Sequence, residues 1–293
     1  MNQQYKEVIS FKALSIYIVT SFTIAYALDI PLITGLLPRS YFGLLASIRM
    51  WAPFLGSVLA LRIIGVPLVD GLKMLGWRLG RTRYIPLGLS IPYILYGVGV
   101  VLLYMAGFSP TNPLLVIAGM SGVKPVEAAM IRSAPTAYLI IQLVSAALAG
   151  LTINAALALG EETGWRGLMY IVLTPRYGLA IASIVTGIIW GLWHADLILY
   201  LKYSLPHHPD ILGVAVYACF TTACSFILYM LRHYSSSILA PAVMHGTLNA
   251  LGTLMMFTYP GLDEIYGLPV GLASIVALII IGSILYLILR SRG

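Results

Sequence analysis

Residues 139–167 read LIIQLVSAALAGLTINAALALGEETGWRG. From Leu139 to Leu159 the stretch carries no charge, and Glu161, Glu162 and Arg166 then follow in quick succession. A run of this kind suits a membrane-crossing helix, which needs about 20 mostly apolar residues. Two adjacent carboxylates and an arginine at its edge are costly to place there. Such groups mark a site rather than a requirement of the fold.

The rest of the 293 residues repeats the pattern, with 60% apolar and only 9% charged residues. A soluble domain carries roughly 25% charged residues, so this chain has too few to coat a water-exposed surface. The fold class expected is all-α, a polytopic integral membrane protein forming one transmembrane domain over residues 1–293, with a motif-bearing core at 139–256. The net charge of +7 fits lysines and arginines flanking membrane spans and no nucleic-acid partner. Cys219 and Cys224 lie five apart without a CxxC spacing, so free buried thiols are expected. The polar stretch Met1 to Phe11 lacks a small-residue cleavage site, and the first span reads as retained.

Eight spans can be placed: Ala13–Leu28, Leu44–Ile64 (interrupted by Arg49), Tyr84–Ala106, Ala134–Leu159, Leu179–Leu201, Ile211–Leu231, Ser236–Tyr259 and Pro269–Leu289. Gly65–Arg83 reads as a basic interfacial segment, and Phe108–Ser133 as short helices on the membrane or over a cavity. Leu168–Leu173 reads as a short piece closed by Thr174-Pro175-Arg176. Eight spans put both termini on one side. That side collects Lys6, Lys12, Arg62, Lys73, Arg78, Arg81, Arg83, Arg166, Arg176, Arg232, Arg290 and Arg292, against Arg39, Lys124, Arg132 and Lys202. The bias predicts a multi-pass protein of the cell membrane with cytoplasmic termini. Asp29, Glu127, Asp210, Asp263 and Glu264 then fall outside, Glu161 near the cytoplasmic end of the fourth span, and a hydrophilic cavity faces the cytoplasm.

Polar residues within or beside the apolar runs fall in register. Glu162 and Arg166 are four apart and share a helical face, as do Trp190 and His194, and His245 and Asn249. If these stripes face one interior, carboxylates, two imidazoles and an amide converge. That inventory suits hydrolysis of a carbonyl by water: a carboxylate beside an imidazole takes the proton, and a second imidazole and an amide are donors to an oxyanion. No GxSxG occurs, and neither cysteine has an activating neighbour. The same residues suit zinc or manganese, although no HExxH spacing is present.

The ordered set Glu161-Glu162-x-x-x-Arg166, Trp190-x-x-x-His194 and His245-x-x-x-Asn249 resembles the CPBP family of intramembrane proteases, which includes the type II CAAX prenyl endopeptidases and bacteriocin-processing or immunity proteins. Trp190 departs from the commoner phenylalanine but keeps a flat wall. The resemblance implies a glutamate-dependent endopeptidase without a metal cofactor. Glu161 would be the base on water, assisted by His194, with His245 and Asn249 as oxyanion donors. Glu162 and Arg166 would be a supporting pair. The implied partners are a peptide or protein substrate, in part of the family a prenylated C-terminal tail, and membrane lipids. Three other readings use the same residues: a non-catalytic peptide-binding scaffold or immunity protein, a metal-dependent protease with zinc, and a transporter, for which matched broken repeats are missing. Arg49 could snorkel, pair with Asp29 or Asp196, or line the cavity. Asp196 reads as structural, and His207 and His208 as parts of a solvated loop.

Overall fold

The computed structural model describes residues 11–291. Met1–Ser10 and residues 292–293, with the expectations for the N-terminal stretch, Lys6 and Arg292, lie outside the described residues. Every regular element in that range is helical. The helices are α1 (Phe11–Ile33), α2 (Phe42–Arg49), α3 (Ala52–Ile63), α4 (Leu68–Leu75), α5 (Tyr84–Met105), α6 (Pro113–Ile117), α7 (Pro125–Ser133), α8 (Pro135–Leu151) and α9 (Ile153–Glu162). A π-helical turn, Thr163–Leu168, leads into α10 (Met169–Trp193). Then follow α11 (Ala195–Leu201), α12 (Ile211–Ser235), α13 (Leu239–Met256) and α14 (Leu272–Arg290). In hydrocarbon a helix satisfies its own backbone hydrogen bonds, which is why a chain this apolar forms helices only.

Six helical stretches are long and apolar enough to cross a membrane, or seven if the pair α7 and α8, bent by 104°, counts as one broken span. α13 is outside the six. It carries Pro241, His245 and Asn249, polar or helix-breaking residues that lower its apolar character.

Several boundaries differ from the expected spans, each for a local reason. The second span is two helices: Met50 and Trp51 interrupt it, and α3 restarts with Pro53 in its first turn, where a missing N–H costs nothing. The fourth span is broken at Thr152, whose φ of −124° and ψ of −99° are not helical. The helix entered at α9 then passes through the π-turn and beyond Pro175 instead of stopping there. It kinks at Gly178, with φ 75° and ψ 169°. Nothing lies within 4 Å of a Cβ built there, so backbone conformation rather than space makes this a glycine position. The fifth span ends at Trp193, and His194 sits between α10 and α11 with φ −93° and ψ 1°.

The two ends of the bundle are chemically distinct. At one end Arg81 N donates to Ser235 O, Arg78 Nε donates to Ser236 O, and the Arg176 guanidinium covers the Phe11 ring. At the other, the Phe42 and Tyr203 rings lie 5.9 Å apart, and loop 202–210 meets loop 257–271 through His207–Glu264 and His208–Asp263 contacts. α1 and α12, with 23 and 25 residues, connect these ends over about 35 Å at 1.5 Å per residue.

One charge differs from its expected place. Asp29, expected in an outer loop, is a buried residue of α1. Arg166 and Arg232, both counted with the basic side, are buried, and Arg232 Nε donates to Arg166 O at 2.9 Å. Cys219 and Cys224 are both free thiols, Cys224 buried and Cys219 exposed on the outer face of α12.

Candidate active site

The GEETG stretch is placed by its glycines. A Cβ at Gly160 would stand 2.5 Å from Met50 O, and one at Gly164 would stand 2.3 Å from Tyr17 Oη. Two glycines one helical turn apart thus seat this segment directly on α1 and on the α2–α3 break, a small-residue contact of the kind membrane helices use. The opposite face then presents Glu161 and Glu162 inward, both buried. The π-turn that follows is a device frequent at functional sites.

Glu161 Oε2 accepts from the indole nitrogens of Trp190, at 2.8 Å, and Trp165, at 3.3 Å. Its Oε1 accepts no hydrogen bond from any described residue. Glu162 Oε1 accepts from Arg166 Nη1 at 3.0 Å and from His245 Nδ1 at 2.9 Å. The Glu162–Arg166 pair expected from spacing is therefore present, and His245 joins it as a third member.

His194 Nδ1 donates to Trp190 O at 2.9 Å. That bond fixes the neutral tautomer, with a lone pair on Nε2. Tyr203, Tyr217 and Trp193 pack round the ring, with centroids 4.9–6.1 Å away.

Trp190 is the residue whose importance the sequence understated. Expected as a flat wall, it is also a donor to Glu161, an acceptor for His194 and a ring 5.2 Å from His245. The Arg166 guanidinium lies 4.4 Å over its face. The aromatic preceding the histidine by four was legible; its indole N–H as the partner of Glu161 was not.

Arg49 takes two of the roles left open for it and pairs with both carboxylates. Its Nε donates to Asp29 Oδ2 at 2.6 Å and its Nη2 to Asp196 Oδ1 at 3.2 Å. Nη2 also reaches Trp193 O, the guanidinium lies 3.6 Å over the Trp193 ring, and Arg49 lines the same cavity as the motif residues. Asp196 in turn accepts from Leu197 N at 2.9 Å. The helix break that carries His194 is thereby clamped on both sides.

Glu161, Trp190, His194, His245 and Asn249 all line one cavity of about 510 Å³, together with Asn154. Asn249 is exposed to it, and Asn154 Nδ2 donates to Gly246 O at 3.2 Å, tying α9 to α13. Glu162 and Arg166 lie behind this lining. The cavity reaches Tyr203, Ser204, Phe257, Pro269 and Val270 in the loops at one end of the bundle, and takes no lining residue from 62–83, 174–179 or 232–239. A cavity facing the cytoplasm and termini in the cytoplasm were expected together; among the described residues, the cavity's lining includes the loops at one end of the bundle, and Phe11 lies against Arg176 at the other.

Of the atoms in the cavity that could hold a metal, Oε2 of Glu161 is engaged by two indoles and Nδ1 of His245 by Glu162, while Oε1 of Glu161 and Nε2 of His194 make no such bond to a described residue. Among the described residues, the one group of three His, Cys, Asp or Glu donor atoms within 4.8 Å of one another is His208, Asp263 and Glu264, in the loops.

Residues 138–251 match the family described as type II CAAX prenyl endopeptidase Rce1-like. A 101-residue stretch is 31% identical to a protein of Methanococcus maripaludis named CAAX prenyl protease 2, covering 33% of this chain and 37% of that relative. The likeness to that relative thus spans little more than a third of its length, whereas the family match, residues 138–251, contains Glu161, His194, His245 and Asn249. Over residues 138–251 the chain is thus similar to the Rce1-like type II CAAX prenyl endopeptidases.

Proposed function

We propose that this chain is an intramembrane endopeptidase that hydrolyses a peptide bond with water activated by Glu161. The observation that carries the proposal is the convergence of Glu161, His194, His245 and Asn249, from three separated stretches of sequence, on one cavity.

In this reading the free Oε1 of Glu161 takes a proton from water while the indoles hold Oε2. A positioned base of this kind contributes about 10²–10⁴-fold. The lone pair on His194 Nε2 is the second acceptor for water. As hydroxide adds to the carbonyl carbon, charge grows on the carbonyl oxygen, and Asn249 donates to it through its amide. His245 already donates through Nδ1 to Glu162, so it offers a hydrogen at Nε2 only when doubly protonated, and Glu162 is the counter-charge for that form. One such oxyanion donor is worth about 3 kcal/mol of barrier. Glu161 then returns its proton to the leaving amine, which breaks the C–N bond. No step requires a metal.

The substrate proposed is a peptide segment at the membrane surface. A prenylated CAAX-type tail is the version that the relative's name supports. Orientation bears on it directly. The basic end of the bundle belongs in the cytoplasm by the positive-inside rule, with both termini, and the cavity's loops then lie on the far side. A cytoplasmic prenylated tail needs the reverse. Incubating the purified protein in vesicles with matched lipidated and unlipidated peptides, with and without a chelator, tests the reading. Cleavage of at least one series, insensitive to chelation, is expected; no cleavage of either, or cleavage abolished by the chelator and restored by zinc, overturns it.

A further inference from the structure

We propose that His207, His208, Asp263 and Glu264 form a binding site for a divalent transition-metal ion of the zinc class, outside the catalytic cavity, which fastens the two loops that bound it.

The four side chains come from two loops distant in sequence. His207 Nδ1 lies 2.6 Å from Glu264 Oε1, and His208 Nε2 lies 3.0 Å from both oxygens of Asp263. Donor atoms of His208, Asp263 and Glu264 all fall within 4.8 Å of one another. A tetrahedral zinc ion with bonds of about 2.0–2.2 Å holds its donors roughly 3.5 Å apart, so small side-chain movements bring these atoms to bonding distance. His207, whose side chain is 80% exposed, would join as a fourth ligand by exchanging its contact with Glu264 for the ion. Mixed imidazole and carboxylate donors select zinc-like ions, whereas calcium and magnesium take all-oxygen sets.

The ligands are also held from behind. Asp263 Oδ1 accepts from Ile265 N at 2.9 Å. A Cβ at Gly213 would stand 2.0 Å from His208 O, so the His208 backbone rests against the first turn of α12. Glu264 Oε2 is buried without a hydrogen-bond partner among the described residues. Such outer contacts orient metal ligands. Both loops contribute to the cavity: Tyr203 and Ser204 from one, Phe257, Pro269 and Val270 from the other. A bound ion would cross-link them at its edge.

The test is calorimetric titration of zinc into the full chain, stripped of metal, at neutral pH. About one equivalent is expected to bind the native protein and His245→Ala alike, and at least tenfold more weakly in His208→Ala and in Asp263→Asn. Zinc should also slow amide exchange in residues 202–210 and 261–267 of the native chain. Melting temperature in the absence of zinc checks folding, and His208→Gln replaces any alanine variant that unfolds. Binding that survives both loop substitutions, binding lost only in His245→Ala, or no binding to the native chain overturns the site. None of these outcomes depends on peptide hydrolysis.

Discussion

At the scale of single residues, the site is a division of labour between two adjacent carboxylates. Glu162 is tied to Arg166 and His245, so it holds two helices and a turn in register and, in the proposed mechanism, is the poorer base. Glu161 is held at one oxygen by neutral indole donors and, in that mechanism, is the carboxylate that meets water. Trp190 makes that possible. Removing its N–H while keeping a ring should weaken the hold on Glu161 without emptying the cavity wall. A hydrogen bond to a charged group is worth about 1.5–3 kcal/mol, so Trp190→Phe is expected to lower kcat about tenfold or more with KM little changed. Steady-state kinetics on a cleavable peptide check this, and a rise in KM alone would assign Trp190 to substrate binding instead. The spacing of Glu161, Glu162, Arg166, His194, His245 and Asn249 was legible in the sequence because helical period and polarity both mark it. Which oxygen meets which donor was not, since the partners lie 29 and 83 residues apart.

At the scale of elements, two devices place those residues. Gly160 presses α9 against the Met50 carbonyl, with no room for a methyl. Gly160→Ala should displace α9 and cut activity by more than its small chemical change suggests; it should also lower the melting temperature, since overpacking costs about 1–3 kcal/mol. Arg49 is the second device. Replacing it with alanine leaves Asp29 and Asp196 buried and unpaired, and breaking a buried pair in this way costs about 3–5 kcal/mol. Arg49→Met combined with Asp29→Asn and Asp196→Asn should recover much of that stability in thermal melts but not full activity, because Trp193 O and the His194 break lose their clamp. Equal activity in the triple variant would show that the clamp serves stability alone. From the sequence, three destinations for Arg49 stayed open, because Asp29 looked like a loop residue until α1 was seen to extend through it to Ile33.

At the scale of the whole molecule, apolar composition was enough for an all-helical membrane protein, and the helix ends were mostly recoverable to within a few residues. The breaks were not. Thr152 and Trp51 lie in runs that stay apolar on both sides, and a hydropathy pattern does not change where only φ and ψ do. Gly178 and Pro175 carry a visible turn signal, yet only Gly178 breaks the helix. Orientation depends on the same breaks: with the basic residues at one end and the cavity's loops at the other, charge counting predicts opposite exposures. In a background of Cys219→Ser and Cys224→Ser, Thr82→Cys should react with a membrane-impermeant thiol reagent only from the cytoplasmic side, and Tyr266→Cys only from the other. The reverse pattern would turn the cavity toward the cytoplasm and support a prenylated tail as substrate. The central claim, that Glu161 activates the attacking water, is tested most directly by assaying Glu161→Gln for cleavage of a membrane-tethered peptide that the native protein cuts. The account predicts that turnover falls at least 100-fold, as expected for loss of a positioned base, in a protein that still melts as the native chain does. Undiminished cleavage by Glu161→Gln would contradict it.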